Sequence, residues 1–112
     1  MLDASGLLWC HVPNGGQRHP AVAKKLKAEG VKAGVPDVLI FNEAEWSIDT
    51  HGWMDNMYNG LALELKVGGN KPTAAQVEWH ERLRKNGWRV EVCYTLDEVF
   101  GILRECYPSK FT

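Results

Sequence analysis

The chain has 112 residues, of which 45% are hydrophobic and 24% are charged. This length suits one domain, and the composition is that of a folded globular protein and excludes a disordered or fibrous one. No apolar run reaches the ~18 residues that span a bilayer, and no signal-peptide pattern opens the chain. We therefore expect one intracellular domain over residues 1–112, with no membrane partner.

The formal net charge of −1 conceals two segregated blocks of charge. Residues 1–34 carry five Lys or Arg against two acids, whereas residues 42–64 carry five acids and no Lys or Arg. The first block could form a basic surface for nucleic acid. Its lysines Lys24, Lys25 and Lys27 equally fit the solvated face of a helix, and charge alone leaves both interpretations open.

The cysteines and histidines show no spacing that predicts a metal cage. Three cysteines without a CxxC pair favour reduced thiols over a disulfide framework or a zinc site. The four histidines are dispersed, and no two have metal-binding spacing on one element, so we assign them no chemistry. These residues are Cys10, Cys93 and Cys106, and His11, His19, His51 and His80.

The first half of the chain predicts a strand, a helix and a second strand. Leu7 to Val12 is a short apolar run that ends at Pro13, which is typical of a strand entering a turn. A helix follows over Pro20 to Glu29, with Gly30 as its end. Val38 to Phe41 consists of four apolar residues and predicts a buried strand.

The second half predicts two strands and two helices. Leu61 to Val67 is a strand pattern, and the capping box at Thr73 to Gln76 opens a helix that runs to Asn86, with Gly87 as its left-handed cap. Trp88 to Tyr94 predicts a strand. A second capping box, Thr95 to Glu98, opens a final helix that buries Val99, Ile102 and Leu103 on one face.

This order of β, α, β, β, α, β and α predicts a mixed α/β layer fold. Its least regular stretch is residues 42–59, which contain Trp46, Trp53, Met54, Met57 and Tyr58. A loop of that length without secondary structure is uncommon, so we expect it to pack against the core or a partner. Base stacking by Trp46 or Trp53 is an alternative use of the same residues.

Three polar residues on the predicted strands carry the chemistry. Asp37 lies where a turn enters one strand, and Glu64 and Lys66 leave the same face of the next strand, while Leu65 is expected to point into the core. Antiparallel pairing would bring Asp37 beside Glu64. Two carboxylates and the carbonyl of Leu65 are oxygen ligands that suit Mg²⁺ or Mn²⁺, and Lys66 could position a water or neutralise charge.

The bare pattern of Asp37, Glu64 and Lys66 is weak by itself. It occurs by chance in roughly a few per cent of chains of this length. An exposed pair of Glu64 and Lys66 on a strand is the structural alternative. Placing these charges on otherwise buried strands is costly without compensation, which favours an ion site.

Longer motifs carry a more specific resemblance. HVPNGGQR (11–18), GVKAGVPDVLIF (30–41) and GLALELKVGGNKPTAAQVEWHERLRKNGWRVEVCYT (60–95), with the closing helix, resemble a stand-alone VRR-NUC domain. This is the virus-type replication-repair nuclease branch of the PD-(D/E)xK superfamily. The resemblance covers nearly the whole chain apart from residues 42–59.

The resemblance implies a restriction-endonuclease-like fold with a mixed β-sheet flanked by helices, and DNA cleavage that depends on Mg²⁺ or Mn²⁺. The resemblance to short phage and bacterial members of the family implies a cytoplasmic homodimer that cuts branched DNA such as four-way (Holliday) junctions. Alternatives are a less selective nuclease on single strands, ends or flaps, and an inactive DNA-binding module.

Matched position by position, the family motif implies that Asp37 and Glu64 are metal ligands and that Leu65 supplies a backbone carbonyl. It also implies that Lys66 is catalytic and that Gln76 is the helix residue that faces the site. The remaining candidates are contacts to DNA: Asn14, Gly16 and Arg18 of the N-terminal loop motif, with Lys24 and Lys32 from the basic block.

The resemblance also implies a further metal-binding Glu, which many relatives carry on an extra N-terminal helix, but the few residues before the first predicted strand lead us to expect no such helix here. The resemblance therefore leaves two possibilities. Either two carboxylates suffice, or another acid such as Asp3 or Glu43 takes that place, and the number of metal ions depends on which holds.

Overall fold

A computed structural model of the protein describes residues 2–12, 33–45 and 57–111. The predicted helix over 20–29 and most of the 42–59 stretch lie outside these ranges. The elements in chain order are α1 (Leu2–Ser5), β1 (Trp9–His11), β2 (Val38–Ile40), β3 (Ala44–Glu45), β4 (Met57–Tyr58), β5 (Leu61–Leu65), α2 (Ala74–Lys85), β6 (Arg89–Cys93) and α3 (Leu96–Cys106).

Four strands form one mixed sheet in the order β1, β2, β5, β6. The β1–β2 and β2–β5 pairs are antiparallel, and β5 and β6 are parallel. Parallel neighbours need a crossover, which α2 supplies between β5 and β6. This mixed sheet with flanking helices confirms the predicted restriction-endonuclease-like α/β fold.

The main core lies between one face of the sheet and α3. Side chains alternate between the two faces of a strand, so Leu61 and Leu63 share a face with Cys93 of β6, which is in register with Leu65. Leu103 and Cys106 of α3 pack into the same cluster. The predicted apolar face of the last helix is confirmed, since Leu103 is buried and Val99 and Ile102 pack against the core.

Both predicted capping boxes are present. The Thr73 hydroxyl accepts from the backbone N–H of Gln76, whose side chain accepts from the N–H of Thr73, and Thr95 and Glu98 repeat the arrangement at α3. These bonds satisfy backbone N–H groups that have no partner within the helix. After α2, Gly87 adopts a φ of +83°, as predicted for a left-handed residue that follows a helix.

The structure shows a short ribbon at the ends of residues 42–59, a stretch for which the sequence predicted no element but did predict packing against the core or a partner. Their described ends pair as an antiparallel ribbon, with Ala44 opposite Tyr58 and Glu45 opposite Met57. Ala44 is fully buried and belongs to the core cluster, so the ribbon is anchored to the fold. The interface role predicted for Trp46, Trp53 and Met54 lies outside the described residues.

The cysteines are free thiols, as predicted, with Cys10 exposed and Cys93 and Cys106 buried. Burial raises the pKa of both buried thiols to about 11. Among the described residues, no helix has the length and apolar character required to cross a membrane.

Candidate active site

The register of β2 and β5 brings Asp37 beside Glu64, as the sequence predicts for antiparallel neighbours. Val38 is paired with Leu63, so the next pair outward is Asp37 and Glu64. Oδ2 of Asp37 accepts from the backbone N–H of Leu65 at 2.8 Å. The side chains of Asp37 and Glu64 also share a hydrogen bond. Two carboxyl groups therefore meet at the end of β5.

Glu64 is buried, with only 1% of its surface exposed. Burial, followed by the hydrogen bond and the negative charge from Asp37, raises the pKa of Glu64 to about 7, against a smaller opposing effect of Lys66. Each factor disfavours a second negative charge beside Asp37.

This raised pKa predicts that the metal-free protein loses stability between about pH 4.5 and pH 7. The folded state binds the proton more tightly than the unfolded chain does. The stabilising contribution is therefore complete below the unfolded pKa of 4.5 and is lost as the pH rises through about 7. A shift of this size corresponds to about 3 kcal/mol.

Denaturant unfolding in chelator at about pH 5 and about pH 8 measures this effect, with Glu64→Gln as the reference because its side chain stays neutral. The wild type should lose about 2.5 kcal/mol relative to Glu64→Gln over that interval, since part of the effect is already lost at about pH 5. The same pH dependence in both proteins would contradict the prediction.

Gln76 faces the site, and its capping bond fixes its orientation. Oε1 accepts from the backbone N–H of Thr73 at 2.8 Å, which leaves Nε2 to donate to Oε2 of Glu64 at 3.3 Å. The helix cap and the metal site were predicted separately from the sequence, and the side chain of Gln76 contributes to both. The capping bond thus positions a donor against the buried carboxylate.

His80 is a member of the site that sequence reasoning missed. It is 4% exposed, and its Nε2 lies 3.3 Å from Oε1 of Glu64. Burial, with the charges of Arg84 and Lys66, lowers the pKa of His80 and favours the neutral ring. The sequence could have identified it through its spacing of four residues from Gln76, since residues four apart share a helix face.

Gly34 allows the segment before Asp37 to approach the start of α2. It has a φ of +91°, and a Cβ at this position would lie 2.6 Å from the backbone of Ala75. Glycine is the residue that satisfies both the left-handed conformation and the close approach. This contact helps to hold Asp37 near the helix that carries Gln76 and His80.

Lys66 directly follows β5, and its backbone N–H donates to the carbonyl of Cys93 at 2.9 Å. It is half-buried. Alternation places its side chain on the face of Glu64. Its charge lowers the pKa of both Glu64 and His80, which shows that Lys66 contributes to the electrostatics of this cluster.

The prediction that Leu65 points into the core is wrong. Leu65 lies on the core face of the sheet but beyond the edge of the packed cluster, and it is 46% exposed. Together with Lys66, Tyr94 and Leu96 it lines an open depression of about 210 Å³. Its main chain nevertheless lies at the site, because its N–H binds Asp37.

The sequence profile described as VRR-NUC domain matches residues 2–96 of this chain. The chain belongs to the VRR-NUC family. A solved structure described as a VRR_NUC domain protein is similar, with a TM-score of 0.62 and 31% sequence identity. The match covers 82% of this chain, which spans 66% of that protein. No curated protein matches the sequence. Family membership implies nuclease chemistry in general.

The donor set of this VRR-NUC domain fits a hard divalent cation. Asp37 and Glu64 supply carboxylate oxygens. The N–H and C=O of one strand residue point to the same side, so the carbonyl of Leu65 is directed towards the side of Asp37. Magnesium and manganese favour such oxygen ligands. A cation here would also relieve the repulsion that raises the pKa of Glu64.

A third carboxylate does not join the pair within the described ranges. No group of three or more Asp, Glu, His or Cys side chains there is arranged to hold a metal ion. Asp3 accepts instead from the indole of Trp9 at 3.0 Å, and Glu43 lines a different depression beside Tyr107. The structure therefore places neither candidate acid in the site.

The predicted DNA contacts of the VRR-NUC domain lie outside the described residues and stay predictions. They comprise the loop residues Asn14, Gly16 and Arg18, and the lysines Lys24 and Lys32.

Proposed function

We propose that this VRR-NUC domain is an endonuclease that hydrolyses phosphodiester bonds of DNA with Mg²⁺ or Mn²⁺. The observation that carries the proposal is the meeting of Asp37, Glu64 and the main chain of Leu65 at the end of one strand. A buried carboxyl group hydrogen-bonded to a second one is costly in a merely structural role. A cation-binding site accounts for the arrangement.

Each residue has a separate task in this mechanism. Asp37, Glu64 and the Leu65 carbonyl would hold the ion, which when bound polarises the scissile phosphate and lowers the pKa of an attacking water. Lys66 stabilises the negative charge that develops on the phosphate or positions the water. Gln76 holds Oε2 of Glu64, so that the carboxylate keeps one orientation.

Lys66→Ala should lower the cleavage rate by roughly a hundredfold or more, the range for loss of a positioned charge-stabilising or proton-transfer group. Single-turnover cleavage at saturating Mg²⁺ measures this rate. Lys110→Ala is the matched control, since Lys110 is exposed and follows α3. A Lys66→Ala rate close to that of the control would reduce Lys66 to a structural residue.

We further propose branched DNA, such as the four-way junction, as the substrate, and a homodimer as the active form. Resemblance to short phage and bacterial VRR-NUC proteins supports both. A twofold dimer supplies two equivalent active sites, which suits paired cuts across a junction. Met57 at the described end of the 42–59 stretch is 40% exposed, and methionine is enriched at interfaces.

Matched linear, single-stranded, flap and four-way-junction DNAs with Mg²⁺ or Mn²⁺ test the substrate. We expect paired cuts in the junction at a higher rate than in linear duplex. Equal cleavage of all substrates would favour the less selective nuclease. If the protein binds every DNA but cleaves none of them with either metal, the inactive binding module is favoured.

The assembly has its own measurement. Light scattering at micromolar concentration should give about twice the 12.6 kDa of one chain. A monomer that still makes paired cuts in four-way junctions would contradict the dimer and leave the metal site unaffected.

A further inference from the structure

We propose that His80 is a positioning residue for the metal site: its Nε2–H holds Oε1 of Glu64 and, with Gln76 on the other oxygen, fixes the carboxylate for the cation. This inference rests on the proposed function. It assigns a role to a side chain that neither binds the ion nor touches the DNA in the proposed mechanism.

The first observation is the identity of the buried residue of α2. That residue is His80, which is 4% exposed and contacts the carboxylate of Glu64, a residue that is 1% exposed. A helix that packs on a sheet ordinarily buries apolar side chains there. A buried imidazole in contact with a buried carboxylate is instead a polar pair that needs its hydrogen bond.

The second observation is the two-point contact. Gln76 donates to Oε2 of Glu64 and His80 contacts Oε1, both at 3.3 Å. The two residues are four apart, so they lie one above the other on the same helix face. Each carboxylate oxygen has two acceptor sites, and each therefore keeps capacity for a cation while the donors prevent rotation of the group.

The contact also fixes the tautomer of the ring. A carboxylate oxygen is an acceptor only, so a deprotonated Nε2 would set two acceptors against each other. The proton must therefore be on Nε2 when Glu64 is ionised. Partners of this kind, which orient a ligand without binding the metal, typically contribute about ten- to a hundredfold to metal affinity.

Calorimetric titration of the DNA-free protein with Mn²⁺ tests this role. His80→Leu fills the space but removes the donor, and should weaken Mn²⁺ binding about ten- to a hundredfold. His80→Gln restores an N–H donor near the Nε2 position and should recover affinity to within a few-fold of wild type. His11→Leu, an exposed histidine on β1, is the control and should bind as wild type does.

Unchanged Mn²⁺ affinity in His80→Leu, or equal weakening in His80→Gln, would overturn the inference while the proposed function stands. A wild type that binds no Mn²⁺ would overturn both. If His80→Leu does not fold, ¹⁵N NMR of the wild-type imidazole with Mg²⁺ decides the matter. The inference predicts that Nε2 of the ring carries a proton, and a ring protonated only on Nδ1 would overturn it.

Discussion

Glu64→Gln and Asp37→Asn should each reduce DNA cleavage by roughly a thousandfold or more while DNA binding persists. Each substitution removes one negative charge from the proposed ion site and preserves the shape of the side chain. The amide oxygen that Asp37→Asn introduces can still accept from Leu65, and the one that Glu64→Gln introduces can still accept from Gln76. The fold is therefore expected to survive the loss of chemistry.

Glu91→Gln is the matched control for these variants. Glu91 lies on β6 in register with Leu63, so its carboxylate is on the opposite face of the sheet from Glu64. Single-turnover cleavage and a binding assay on the same DNA separate catalysis from affinity. Full activity in Glu64→Gln or Asp37→Asn, or an equal loss in Glu91→Gln, would show that the active site is elsewhere.

Removal of divalent cations should abolish cleavage in the wild type. Without the ion, no described side chain at the site would lower the pKa of a water from ~16 towards neutrality, and two carboxylates would repel the phosphate of the substrate. Added Mg²⁺ or Mn²⁺ should restore the activity after chelation. The measurement is DNA cleavage in excess chelator, followed by titration of the metal back into the same sample.

Undiminished cleavage in excess chelator would contradict the metal requirement. A parallel sample with chelator already saturated by Mg²⁺ controls for effects of the chelator on the DNA. Recovery with zinc alone, and not with Mg²⁺ or Mn²⁺, would contradict the assignment of an oxygen-ligand site.

Short-range sequence patterns predicted most of the described fold. Thr73 and Gln76, like Thr95 and Glu98, satisfy helix N–H groups over three residues, so their structure depends little on the rest of the molecule. The period of two along a strand predicted that Glu64 and Lys66 share a face. The meeting of Asp37 with Glu64 required only that β2 and β5 be antiparallel neighbours.

The features that the sequence did not predict correctly depend on tertiary packing. The alternation along β5 gives the direction of Leu65, but it does not tell where the core ends, and α3 leaves this residue half uncovered. The β3–β4 ribbon consists of two residues on each side, which is too short for a periodic pattern. His80 carries no metal-binding spacing, and its partner Glu64 is brought to it by the fold.

The position of the ion is the central claim, and oxidative mapping tests it most directly. Fe²⁺ bound in place of Mg²⁺, with ascorbate and peroxide, produces radicals that cut the polypeptide close to the metal. We predict cuts beside Asp37 and around Leu65 that excess Mg²⁺ suppresses and that Glu64→Gln lacks. Cuts confined to other parts of the chain, or cuts at these positions that Mg²⁺ does not suppress, would contradict the assigned site.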